Sequence, residues 1–153
     1  SYVFFIGSSP GLTYMNAQRL IRDVIPDCVT YPEQPYSDYL AKLAECDMFL
    51  SPFPFGNTNG LIDCFLLGIP GVCLHGDQPH AAIDRGLFAM MELPGDLVAT
   101  SRDDYVAAAA ALADDPERRT SLRTRLLEAN AAKRISAGRP EGFAETVTSL
   151  MAG

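Results

Sequence analysis

Short apolar runs alternate with amphipathic stretches along the first hundred residues. Residues 2–6 (Tyr-Val-Phe-Phe-Ile) are a continuous apolar run closed by Gly7-Ser8-Ser9-Pro10-Gly11. That pattern predicts a strand buried on both faces, followed by a loop. From about residue 13 to 24, Met15, Ala17, Leu20, Ile21 and Val24 recur at helical spacing, and Pro26-Asp27 ends the run. A second strand is expected over residues 28–31, broken by Pro32-Glu33-Gln34-Pro35. Ser37 then reads as the N-cap of a helix through Cys46, with Tyr39, Leu40 and Leu43 inward. A third strand, residues 48–50, enters Ser51-Pro52-Phe53-Pro54-Phe55-Gly56-Asn57-Thr58-Asn59, and a helix is expected from about Gly60 to Leu67. Gly68 fits the left-handed position after a helix, and Pro70 stands where a helix cannot continue. Residues 71–74 read as a fourth strand, with Pro79 in the first turn of a helix to about Met91. Residues 97–99 suit a last short strand.

This alternation predicts an α/β fold with a doubly wound, mostly parallel, Rossmann-like sheet. Beyond Thr100 the pattern turns wholly helical. Ser101 and Asp104 resemble a capping box for an Ala-rich helix through Ala113, and Asp115-Pro116 opens another through about Lys133. A loop over residues 136–142 precedes a final helix, residues 143–151. The chain opens directly in a strand, so we expect residues 1–153 to be one domain cut from a longer protein.

Composition narrows the picture. A length of 153 residues supports a real core, and 48% hydrophobic with 20% charged residues is ordinary for a globular chain. The net charge of −7 argues against nucleic acid or an anionic membrane as a general partner. Arg118, Arg119, Arg123 and Arg125 lie among acids on one helix and read as a solvated face. The four cysteines form no CxxC pair and read as free thiols of a reducing, cytoplasmic setting. Cys73, His75 and His80 have poor metal-ligand spacing, so no metal is expected. No apolar run approaches the roughly 20 residues that span a bilayer.

Ligands of an open parallel sheet bind where the loops after the strands converge. Those loops cover residues 7–11, 31–36, 52–60 and 75–80, and hold much of the chain's Gly, Pro and small polar residues. Asn57, Thr58 and Asn59 lie before a helix whose free N–H groups attract an anion such as a phosphate; they are equally ordinary capping residues. Asp63, one turn on, either answers the helix dipole or accepts from the hydroxyls of a ribose. Tyr36 either stacks on a base or covers the sheet edge. His80 either donates to a phosphate or is a surface histidine. Residues 7–11 match neither GxGxxG nor the Walker loop, so neither NAD nor ATP is indicated.

Three segments together resemble one family: Pro52-Phe53-Pro54-Phe55-Gly56-Asn57-Thr58-Asn59-Gly60, Leu67-Gly68-Ile69-Pro70-Gly71-Val72-Cys73, and His80-Ala81-Ala82-Ile83-Asp84-Arg85-Gly86-Leu87-Phe88. It is the bacterial cytoplasmic N-glycosyltransferases that modify high-molecular-weight adhesins, relatives of the O-GlcNAc transferases. Residues 5–11, Pro35-Tyr36-Ser37-Asp38-Tyr39-Leu40 and Leu93-Pro94 are similar to that family in the same order. The resemblance implies the C-terminal half of a GT-B fold, whose N-terminal domain is missing here and carries the acceptor-side groups. It gives Asn57, Thr58, Asn59 and the Gly60 amide the phosphates of a UDP-sugar, and Asp63 the ribose. Tyr36, Gln34, Glu33 and Ser8 take the uridine side. The family leads one to expect a Gln near Ser8 and a His near Glu33, and both are replaced. Its phosphate-contacting lysine is expected upstream of Ser1, with neither Lys42 nor Lys133 at the site.

The resulting expectation is the donor-binding domain of an inverting, metal-independent glycosyltransferase. It transfers a hexose from a UDP-sugar, with no other cofactor, to an Asn or Ser/Thr side chain of a protein acceptor. The isolated chain is expected to bind UDP weakly and to transfer no sugar. The alternatives are a nucleotide-binding or scaffold domain without catalysis, and a flavodoxin- or response-regulator-like domain, which the absence of a phosphoacceptor pattern disfavours.

Overall fold

The computed structural model describes residues 1–76, 78–138 and 140–151, without the side chains of His80, Ala81 and Pro140. The residues gather into two compact units, Ser1–Cys46 and Asp47–Gly153.

The first unit is a βαβα segment: β1 (Val3–Phe5), α1 (Leu12–Val24), β2 (Val29–Tyr31) and α2 (Tyr36–Leu43). The strands pair in parallel, with Val3 opposite Val29 and Phe5 opposite Tyr31. Contrary to the double-sided burial expected of β1, its three residues are half-buried. α1 buries none of its residues, and Met15, Leu20 and Val24, expected inward, are exposed. Polar contacts hold it to β2 instead. Gln18 Nε2 donates to Thr30 Oγ1 at 2.6 Å, and Tyr14 Oη lies 3.0 Å from that hydroxyl. Ser37 is no cap: α2 begins at Tyr36 after Pro35, whose fixed φ suits a helix entrance.

The second unit carries three parallel strands, β3 (Phe49–Leu50), β4 (Gly71–Leu74) and β5 (Val98–Ala99), in that order across the sheet. The α/β class with parallel strands is therefore as expected. Hydrogen bonding among the described residues groups the strands into this ladder and the β1–β2 pair. α3 (Thr58–Leu66) and α4 (Pro79–Met90) connect the strands, and α5 (Arg102–Asp114), α6 (Pro116–Ala129), α7 (Ala131–Ser136) and α8 (Pro140–Met151) follow. A 3₁₀ turn, Gly95–Leu97, leads into β5, so Leu97 belongs to the turn. The core joins Leu61 and Phe65 of α3, Val72 and Cys73 of β4, Phe88 and Met91 from the end of α4, and Leu112, Leu122 and Leu126. Phe49, Phe65 and Phe88 meet edge to face, centroids 5.5–6.1 Å apart, a geometry favoured by their quadrupoles.

The cap residues explain several boundaries. Ser101 Oγ accepts from the Asp104 amide at 3.1 Å, as the sequence predicts. The helix expected to run to Lys133 instead breaks at Asn130, which adopts the left-handed conformation (φ 51°) while its side chain caps Lys133 N. Asn tolerates that conformation because its short amide bonds locally. The arginine face is partly engaged. Arg118 bridges Asp96 at 2.6 Å, and Arg119 Nη1 donates to the Leu112 carbonyl at 2.8 Å, closing the end of α5.

After α3, Gly68 (φ 70°) donates to Phe65 O and Ile69 to Cys64 O, a Schellman closure. A Cβ on Gly68 meets Leu127 Cγ at 2.8 Å, whereas one on Gly86, inside α4, meets nothing within 4 Å. Gly68→Ala is therefore expected to destabilise by about 1–3 kcal/mol, and Gly86→Ala to stabilise by about 0.5–1 kcal/mol. Urea unfolding of both variants checks the opposite signs.

Candidate functional site

The run from Ser51 to Asp63 passes from the end of β3 through a loop into α3. Its backbone is held at both ends. Tyr105 Oη donates to Ser51 O at 2.8 Å, and the Gly56 amide donates to Pro52 O at 2.8 Å. The Phe53–Pro54 peptide is cis, and the Phe53 ring packs edge-on to Tyr105 at 5.3 Å, with the Arg102 guanidinium 5.7 Å from its centre. Ser51 Oγ donates to Asp84 Oδ2 at 2.5 Å and Asn57 N donates to the same oxygen at 3.1 Å.

α3 starts two residues earlier than the sequence suggests. Asn57 is the N-cap, and Thr58, Asn59 and Gly60 form the first turn. Asn57 has its side chain against Gly60 but makes no capping hydrogen bond, and the first intrahelical bond runs from Leu61 N to Asn57 O. No side chain among the described residues caps this end, leaving the Thr58, Asn59 and Gly60 amides as its unsatisfied donors. Asn57 and Asn59 are exposed, Thr58 half-buried and Gly60 buried. The Asn57 amide is engaged by Asp84, which removes it from the set available to a ligand. Asp63 falls in the second turn, half-buried. The dipole reading of Asp63 therefore loses its basis, because that effect fades beyond the first turn.

In the first unit, Glu33 N donates to Ser8 O at 2.9 Å and Ser9 Oγ to Glu33 Oε2 at 2.6 Å, so Ser8 and Glu33 are brought together. Ser8 Oγ is buried without a partner among the described residues, as is Gln34 Nε2. Gln34 Oε1 accepts from Lys42 Nζ at 2.6 Å, and that ammonium also lies 4.9 Å from the centre of the Tyr31 ring. Lys42 thus attends a predicted uridine-side residue, which leaves the expectation of no lysine at the phosphates as it was. Its position eight residues beyond Gln34, on α2, concealed it. Tyr36 is 60% exposed and stacks on Tyr39 at 6.0 Å, so it does not simply cover a strand.

Two residues of α4 escaped sequence reasoning as parts of a site. Arg85 Nη1 lies 3.1 Å from His75 Nε2, beside a cleft of about 380 Å³ that Phe88, Leu93, Val98 and Thr100 also line. Asp84, 1% exposed, was legible only as a carboxylate within the buried stripe Asp84, Leu87, Phe88, Met91 of α4 and its end. The His80 side chain lies outside the described residues, and among those described no three His, Cys, Asp or Glu side chains cluster as metal ligands. No described helix is long and apolar enough to cross a membrane.

No protein-family model matches the chain. It is 42% identical over 138 residues to the UDP-glucose:protein N-beta-glucosyltransferases of Actinobacillus pleuropneumoniae serotype 5b (strain L20) and serotype 7 (strain AP76). The match takes in 90% of this chain but only 22% of either relative's length. The solved structure of a Thermobaculum terrenum O-GlcNAc transferase mutant, K341M, superposes with a TM-score of 0.67 at 17% identity, over 88% of this chain and 32% of that one. That likeness establishes the fold, the GT-B half expected above. By sequence, the chain is similar to the protein N-glucosyltransferases over the part of them that it spans.

Burial of Cys73, then the nearby Asp84 carboxylate, pushes its thiol from the ordinary value near 9 up to about 12. Burial and then Cys73 also push the Tyr105 hydroxyl up. Between pH 9 and 12 the folded state therefore holds a proton at Cys73 that the unfolded chain releases. Stability is full below pH 9 and falls as pH rises through that window. Urea midpoints from pH 8 to 11 are expected to decline, with a shallower slope in Cys73→Ala.

Proposed function

We propose that this chain is the donor-binding part of a glycosyltransferase that moves a hexose from a UDP-sugar to a protein side chain. The relationship to the protein N-glucosyltransferases carries the reading, and the uncapped amino end of α3 supports it. In this proposal the diphosphate accepts from the Thr58, Asn59 and Gly60 amides and from the Asn57 and Asn59 side-chain amides. Asp63 accepts from the ribose hydroxyls. Ser8, Glu33, Gln34 and Tyr36 keep the uridine-side roles given above.

The reaction is an inverting displacement without metal: an Asn nitrogen or Ser/Thr oxygen bonds to the anomeric carbon as the bond to the diphosphate oxygen breaks, UDP departs, and the nucleophile's proton passes to solvent or to the departing diphosphate. Charge then grows on the departing diphosphate. Fixed N–H dipoles aimed at that charge stabilise it without reorganising. The remainder of the catalytic apparatus belongs to a partner domain of the same enzyme, and the setting is cytoplasmic. A non-catalytic nucleotide-binding role is favoured by one observation, the Glu33 carboxylate tied to Ser9 where the family places a histidine.

Titration with UDP, followed by backbone amide shifts, is expected to perturb residues 57–63 with weak affinity. Asp63→Ala is expected to weaken binding by about 1–2 kcal/mol, roughly 5- to 30-fold. Assayed alone with UDP-glucose and an Asn-containing peptide, the chain is expected to transfer no sugar. Absence of any shift at several millimolar UDP overturns the donor-site reading; shifts confined to residues 8–36 leave the second reading standing.

A further inference from the structure

We propose that Asp84 is a positioning residue for the donor diphosphate, holding the amino end of α3 in its ligand-ready geometry before any ligand arrives. The inference rests on the donor-site reading above.

The Asp84 carboxylate is buried, and its Oδ2 accepts from both Ser51 Oγ and Asn57 N. Those two residues bracket the five-residue loop 52–56, so a single oxygen closes it. Gly56 (φ 72°) lies against the same group, and a Cβ there would stand 2.8 Å from Oδ2 and 3.1 Å from Oδ1. No larger residue fits between loop and carboxylate. From the far side, Tyr105 Oη fixes the Ser51 carbonyl. Elements β3, α3, α4 and α5 thus meet at one short hydrogen-bonded chain.

A carboxylate is a poor choice for packing alone. It occupies the apolar stripe of α4, and among the described residues no cation pairs with it and its buried Oδ1 has no hydrogen-bond partner. A buried unpaired charge costs stability that an aliphatic side chain in the same stripe would not. What the carboxylate supplies is orientation. It takes up the Asn57 amide, fixes the residue whose side chain lies over Gly60, and leaves the next three amides to a ligand. Ordering those groups in advance removes that cost from binding. Its negative charge works against the same ligand, so acceptor geometry and charge have opposite effects on affinity.

That opposition gives a test which stability alone does not mimic. UDP affinity is measured by amide shifts on the 153-residue chain as wild type, Asp84→Asn, Asp84→Ala and Gly56→Ala, with each variant's melting temperature recorded. Asp84→Asn keeps an acceptor for Asn57 N and loses the charge, and is expected to bind UDP as tightly as wild type or more tightly. Asp84→Ala and Gly56→Ala are expected to bind at least tenfold more weakly while folded. A folded Asp84→Ala that binds like wild type overturns the proposal, and so does an Asp84→Asn as weak as Asp84→Ala. If Asp84→Ala does not fold, Gly56→Ala decides by the same criterion. A wild type that shows no UDP shifts removes the donor-site reading and this role together, whereas binding unchanged across all variants removes this role alone.

Discussion

Burial of Phe65 between Phe49 and Phe88 is the constraint on which the second unit's architecture turns. α3 has nine residues, too few to persist alone in water. It exists because Leu61, Cys64 and Phe65 are driven into the core, and the Schellman closure at Gly68 then returns the chain to β4. With one end fixed by apolar contacts, the direction of the other is no longer free. The functional end of the helix is aimed by its hydrophobic end, and Asp84 refines what the aromatic cluster sets.

Much of this was legible because strong local chemistry coincided with tertiary need. Gly68 followed by Pro70, Pro79 opening α4, and Ser101 capping α5 each have a mechanism that acts within a few residues, and each is where the pattern put it. The failures came where distant contacts decide. Thr58 and Asn59 look like loop residues, yet burial of Leu61 draws them into the first turn. Asn130 interrupts what periodicity reads as one helix, since periodicity is blind to a single left-handed residue. The candidate phosphate residues were identifiable from composition and resemblance, but the engagement of the Asn57 amide by a carboxylate 27 residues away was not.

The chain's charge adds a constraint of its own. At −7 the protein as a whole repels an anion. Any anion held at α3 must be gained through short-range dipoles and hydrogen bonds, which act within a turn of the helix, against a longer-range field that salt screens. Among the described residues, cations beside these loops already have partners: Arg85 is directed at His75, Arg102 at the Phe53 ring, and Lys42 at Gln34 and the Tyr31 ring.

The attachment of α1 by Tyr14, Gln18 and Thr30, without a buried apolar residue, has a calorimetric consequence. Heat capacity of unfolding rises with apolar surface exposed and falls with polar surface exposed. Releasing this helix therefore adds little to it. The curvature of stability with temperature is therefore set by the core around β4, while α1 detaches with an enthalpy that hardly changes between cold and warm, like a hinge held by latches rather than by suction.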